Sequence, residues 1–218
     1  MSKKYILFDL DGTIVDSSEG IINSVAYSLK KFGIEENPES LYKFIGPPLR
    51  DSFREFYNMN DEDSEKAVDY YREIYSENQI FNVKMYDGIS DMMKELKARG
   101  LKIVLATSKP TVYAEEILNH IGIDQYFTMI AGSEFNGLRD KKSDVIKHVI
   151  ERLDIEDVSE VLMVGDRYYD IKGAKDLGID SIAVLYGFGN IDEFEEYGAE
   201  NIVSTVKELE EKIIEIAE

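Results

Sequence analysis

Two hydrophobic periods divide this chain. Tyr5-Ile6-Leu7-Phe8 is a continuous apolar run that ends in Asp9-Leu10-Asp11-Gly12-Thr13, and an apolar run closed by a turn signal predicts a fully buried strand. From about residue 18 to 80 the period is helical. Ile21, Ile22, Val25, Ala26, Leu29 and Phe32 recur at helix spacing before Gly33, Pro38 opens a short helix to Phe44, and Leu49 to Tyr57 is helical again. Asn60 or Asp61 then caps a longer helix with Ala67, Val68, Tyr71, Ile74 and Tyr75 on one face. No strand interrupts this stretch, so it reads as a helical insertion.

From Val83 helix and strand alternate. Ile89 to Arg99 is amphipathic and stops at Gly100; Leu101 to Ala106 is a strand ending at Thr107-Ser108; a helix runs from Pro110 to His120. Phe127 to Ala131 is a strand and Ser143 to Leu153 a helix. Val161 to Val164 is a strand ending at Gly165-Asp166, with a helix from Asp170 to Leu177; Ser181 to Leu185 is a strand, and a charged helix follows Ser204. Repeated βα units predict an α/β fold with a doubly wound parallel sheet. The core domain is expected to comprise residues 1–16 and 83–218, and the helical cap domain 17–82.

Composition narrows the function classes. The 218 residues carry 44 Asp and Glu against 25 Lys and Arg, a formal net charge of -19, which excludes a nucleic-acid or anionic-membrane surface. No Cys is present, so there is no thiolate chemistry, and His120 and His148 are the only histidines. No stretch approaches a membrane span or a signal peptide, and a cytoplasmic protein, monomer or homodimer, is expected. The acidity also repels phosphorylated ligands at long range, so any anion site here needs local cations.

The candidate chemistry lies where strands end. Asp9 and Asp11 crowd one tip, and two adjacent carboxylates need a cation or a shared proton. Mg2+, which takes carboxylate oxygens together with waters and phosphate, fits that need. Thr107 and Ser108 follow a second strand, Gly165-Asp166 with Asp170 a third, and Arg139-Asp140-Lys141-Lys142 precedes a helix. Parallel strands bring all these tips to one edge.

Four segments in this order resemble the motifs of the haloacid dehalogenase superfamily, in the small-helical-cap, phosphoglycolate phosphatase-like or 5′-nucleotidase-like branch. Asp9-Leu10-Asp11-Gly12-Thr13 is similar to the first motif, Thr107 to the second, Lys142 to the third, and Gly165-Asp166 with Asp170 to the fourth. The resemblance implies a Rossmann-like core and a hydrolase acting on a small phosphorylated metabolite through an aspartyl-phosphate. It makes Asp9 the nucleophile, Asp11 the acid and base, and Lys142 the neutralising cation. Gly12, Thr107 and Ser108 would bind phosphate, and Mg2+ would be held by Asp9, Asp166, Asp170 and the backbone carbonyl of Asp11. Lys109 and, from the cap loop Phe44 to Arg50, Arg50 are further candidates for substrate anions. A β-phosphoglucomutase-like phosphoryl transferase and a non-catalytic binding module on the same fold are the alternatives. Gly187-Phe188-Gly189 lacks the third glycine of a dinucleotide fingerprint and reads as a loop near the site mouth.

Overall fold

A computed structural model of the protein describes residues 2–218; Met1, placed in the core by the sequence, lies outside the described residues. In chain order the strands are β1 Tyr5–Phe8, β2 Val15–Asp16, β3 Lys84–Met85, β4 Lys102–Pro110, β5 Phe127–Ser133, β6 Val161–Gly165, β7 Asp180–Val184 and β8 Asn201–Val203. The α-helices are α1 Ser18–Lys31, α2 Leu49–Tyr57, α3 Asp61–Ile74, α4 Ile89–Ala98, α5 Thr111–His120, α6 Lys142–Arg152, α7 Tyr168–Lys175, α8 Ile191–Tyr197 and α9 Val206–Ala217. Among the described residues no helix is long and apolar enough to cross a membrane.

The chain divides into two compact units. One holds the residues up to Val15 and Met85–Glu218, the other Asp16–Lys84. Both crossings fall in the two-stranded β2–β3 ladder. The second unit is helical, as its 3.6-residue period requires: α1 packs on α3 and on the 3-10 turn Pro38–Phe44, which Asn37 caps through Glu39 N–H. Its core gathers Phe44 against Phe53, Phe56 and Tyr57. The α3 rod continues as one π turn, Tyr75–Gln79, which the apolar pattern does not distinguish from α-helix.

The first unit is a six-stranded parallel sheet in the order β5-β4-β1-β6-β7-β8. Every residue of β1 is buried, which is why its sequence shows no alternation. Tyr5 and Leu7 point to one face with Val104, Ala106, Val161 and Met163, where Val145, Ile146 and Val149 of α6 and Ala174 of α7 cover them. The order reverses between β1 and β6, so the loops after these two strands diverge and leave a crevice. Register makes the tips level: Phe8 stands beside both Leu105 of β4 and Val164 of β6. With strands about 4.8 Å apart, the three tips lie within about 10 Å of one another.

Four elements differ from the pattern. β4 does not end at Thr107-Ser108 but runs to Pro110 after a register shift between Ala106 and Pro110. The shift is accommodated by Ser133 Oγ donating to Ser108 O at 2.8 Å. α7 begins at Tyr168 rather than Asp170, because the Asp170 carboxylate reaches back to accept from Arg167 N–H at 3.1 Å and fixes the first turn. β8 and α8 add an edge strand and a short helix after β7, where the apolar pattern indicated neither.

Candidate active site

Asp9 follows β1, and its backbone N–H donates to Val164 O at 2.9 Å, which ties the first tip to β6. Its Oδ1 accepts from Leu10 N–H at 2.8 Å. Asp166 follows β6 and Asp170 lies one helical turn on, in α7. One carboxylate oxygen from each of Asp9, Asp166 and Asp170 lies within 4.8 Å of the others, and all three residues are buried. Lys142, at the start of α6, is 4% exposed. Its Nζ lies 2.9 Å from Asp9 Oδ1 and 2.9 Å from Asp170 Oδ1, and donates to Ala106 O at 2.8 Å. Gly173 of α7 makes this approach possible: a Cβ there would press on the Lys142 side chain and on Ser143 N.

A second buried lysine serves the other carboxylate of the first motif. Lys109 Nζ lies 3.0 Å from Asp11 Oδ2. It is carried on the irregular end of β4, where Lys109 N–H donates to Thr107 Oγ1 at 3.2 Å. The sequence places Lys109 near a substrate anion; the structure places it on Asp11. Among the described residues, the carboxylate of Asp11 does not join the group formed by Asp9, Asp166 and Asp170. Arg50 belongs to the helical unit, where its guanidinium holds both oxygens of Glu65, with Nη2 to Oε2 at 3.0 Å. Gly12, with φ at 81°, has the left-handed turn that lets the chain double back after Asp11, and a Cβ there would meet the Asp166 carboxylate.

Charge is out of balance in this group. Burial, with Asp170 and Asp9 adding their charge, pushes the Asp166 carboxyl well above its usual value, against the pull of Phe188 N–H and Arg167. Asp170 is also raised by burial; Lys142 opposes that and Asp9 adds to it. Burial pulls the Lys142 ammonium down, but Asp170 and Asp9 outweigh it and hold the group at about 12. Asp170 Oδ1 is buried, and the Lys142 ammonium 2.9 Å away is the cation beside it. An all-oxygen set with more negative than positive charge, three buried carboxylates against one ammonium, fits a hard divalent cation such as Mg2+.

This imbalance predicts a pH dependence for chelator-treated protein. Between the ordinary carboxylate value of 3.8 and the raised value of Asp166, the folded state holds more protons than the unfolded one. The stability this contributes is therefore complete at low pH and lost as pH rises through the raised value. Lys142 does not offset this near neutrality, because its contribution fades only between 10.5 and about 12. Asp170, raised to about 6, adds to the same loss, so thermal melts should show a lower Tm at pH 8 than at pH 5 without metal. Mg2+ at 100 times its Kd should add about 2.7 kcal/mol, or roughly 5–10 °C for a chain of this size. An equal metal-free Tm at both pH values would contradict this.

The family model for haloacid dehalogenase-like hydrolases matches residues 6–184. The chain belongs to this family. This haloacid dehalogenase-like hydrolase is similar to a 5′-nucleotidase of Pseudomonas aeruginosa, at 40% identity over 189 residues, 86% of this chain and 85% of the relative. It is also similar to the tyrosine-protein kinase PtkA of Mycobacterium tuberculosis, at 34% identity over 216 residues, 97% of this chain and 73% of the relative. Among solved structures, a predicted phosphatase from Clostridium acetobutylicum superposes with a TM-score of 0.96 at 46% identity, covering 99% of this hydrolase and 100% of that chain.

Some site residues escaped the sequence reading. Phe188 N–H donates to Asp166 Oδ2 at 2.8 Å, and Tyr186 Oη donates to the Thr13 carbonyl at 3.0 Å. The glycines of Gly187-Phe188-Gly189 marked the loop, but nothing local identified its partner as Asp166. The Lys109–Asp11 pair was equally hidden, since it joins positions far apart in sequence.

Proposed function

We propose that this hydrolase is a Mg2+-dependent phosphatase that cleaves small phosphomonoesters through a phosphorylated Asp9. The observation that carries the reading is Asp9 at the mouth of the β1/β6 crevice, held by a buried Lys142 that also holds Asp170. In this reading an Asp9 carboxylate oxygen attacks phosphorus in line, a P–O bond to Asp9 forms, and the bond to the substrate oxygen breaks. Asp11 gives its proton to the departing alkoxide. Ionised Asp11 then takes a proton from water, the water oxygen attacks the same phosphorus, and Asp9 is released with inorganic phosphate. Lys142 neutralises Asp9 as the dianion approaches. Thr107, the Ser108 backbone and Gly12 face the phosphoryl oxygens. Asp9, Asp166 and Asp170, with the Asp11 carbonyl, would hold Mg2+, which when bound neutralises charge on the phosphoryl group. The two buried lysines answer the repulsion of a chain with net charge -19.

A 5′-nucleotidase among the relatives supports a nucleoside monophosphate as substrate class, and a relative named phosphoglycolate phosphatase supports a small phosphorylated acid. A relative named tyrosine-protein kinase favours one second reading, in which the phosphoryl group passes to an acceptor other than water. Phosphate release should be measured on nucleoside monophosphates, 2-phosphoglycolate and sugar phosphates, with Mg2+ and with chelator. Mg2+-dependent release concentrated on one class is expected. Consumption of substrate without free phosphate would instead support transfer.

A further inference from the structure

The loop that follows β7 touches the site from a side that none of the four motif segments occupies. Phe188 N–H donates to Asp166 Oδ2 at 2.8 Å, and Thr13 Oγ1 lies 3.3 Å from Asp166 Oδ1, so each oxygen of this buried carboxylate has its own donor. The loop backbone comes this close at the two positions, Gly187 and Gly189, that lack a Cβ atom. A Cβ on Gly187 would strike the Gly12 carbonyl and Asp166, and one on Gly189 would strike the Asp166 carbonyl and the Phe194 ring. Neither glycine has a positive φ, so close approach and not backbone conformation demands them. The same loop reaches the turn of the first motif: Tyr186 Oη donates to the Thr13 carbonyl at 3.0 Å. The Tyr186 ring meets Tyr86 edge-on, with centroids 4.9 Å apart, and Tyr86 N–H donates to the Ile14 carbonyl at 3.1 Å. Three adjacent carboxylates repel one another, so each must be held from outside the group. Lys142 holds Asp9 and Asp170. For Asp166 the holding donors are Phe188 N–H and Thr13 Oγ1.

We propose that Tyr186-Gly187-Phe188-Gly189 is a positioning element of the active site, which fixes the Asp166 carboxylate for a divalent cation and pins the turn carrying Asp11 through Thr13. The inference rests on the proposed function for its cation and its reaction. It assigns no catalytic contact to the loop: Phe188 acts through Asp166, and Tyr186 acts through Thr13.

The test uses the full chain and three proteins, the wild type, Gly189→Ala and Tyr186→Phe. Mg2+ binding is measured by calorimetric titration and by Tm shift, neither of which needs turnover. Displacing a donor that orients a metal ligand typically costs 10–100-fold in affinity, so Gly189→Ala should weaken Mg2+ by roughly that factor. Tyr186→Phe removes one hydroxyl and keeps the ring against Tyr86. It should lower kcat by about 10-fold and raise KM by less than that, since the turn carrying Asp11 and Gly12 loses its tether at Thr13 while Thr107 and Ser108 stay in place. If Gly189→Ala fails to fold, Tyr186→Phe still decides. Unchanged kcat in Tyr186→Phe, or wild-type Mg2+ affinity in a folded Gly189→Ala, overturns the inference while a hydrolytically active wild type leaves the function standing. A wild type that binds no Mg2+ and releases no phosphate overturns both.

Discussion

Asp9→Asn is expected to reduce turnover by at least about 10^4-fold, the scale seen when a nucleophile is removed from a site that otherwise stays intact. The substitution keeps an oxygen where Leu10 N–H donates at 2.8 Å and where Lys142 Nζ sits 2.9 Å away, so local structure has no reason to move. An amide oxygen, though, does not form a stable bond to phosphorus. Asp9→Asn also removes one of three carboxylates that crowd within 4.8 Å, so the metal-free protein should melt no lower than the wild type at pH 8. The measurement is kcat beside Tm on one preparation, with the Asn confirmed by mass. Turnover within 10-fold of wild type, at unchanged Tm, would place the nucleophile elsewhere.

Lys142→Met should damage both quantities. Methionine fills much of the same volume beside Gly173, but three buried carboxylates then keep no ammonium among them. Removing one partner of a buried ion pair costs about 3–5 kcal/mol. For a chain of this length that corresponds to a drop of roughly 6–20 °C in Tm. Loss of a cation aimed at the reacting group should cost about 10^2–10^3 in kcat. A double-mutant cycle separates the two contributions. With Asp9→Asn in the background one carboxylate is already gone, so Lys142→Met should destabilise less there than alone, by 0.5–3 kcal/mol on the usual scale, about what coupled neighbours show. Additive effects would mean that Lys142 holds its place by packing and by Ala106 O alone.

The sheet was legible in the sequence because its central strands are buried on both faces. Ile6, Leu7, Phe8, Val104, Leu105, Leu162, Met163 and Val164 are all inaccessible, and continuous apolar runs announce that. β8 was not legible because three residues at a sheet edge, two of them half-buried, leave too short a pattern. α8 carried one usable sign. Asn190 accepts from Glu193 N–H at 3.0 Å, a capping arrangement visible as Asn-x-x-Glu, but the helix is otherwise acidic with Phe194 as its one buried side chain. Within the site, residues that sit at strand tips were identifiable from their position after an apolar run. The pairing of Lys109 with Asp11 and the donation from Phe188 to Asp166 were not. Both depend on register between strands and on the path of a loop, which no local window contains.

The order of the sheet also sets when the site comes into being. β1 is made first, yet its neighbours β4 and β6 follow only after the helical unit and several further elements. Asp9 therefore leaves the ribosome long before Lys142 and Asp166 exist, and the loop at Tyr186–Gly189 arrives later still. Until then β1 offers four apolar residues and two unpaired edges to any nearby chain. Such long-range parallel pairing is slow to form. A nascent chain stalled before residue 166 thus carries the first strand of the candidate site without the partners that complete it, and it is at this stage that the protein should depend most on chaperones.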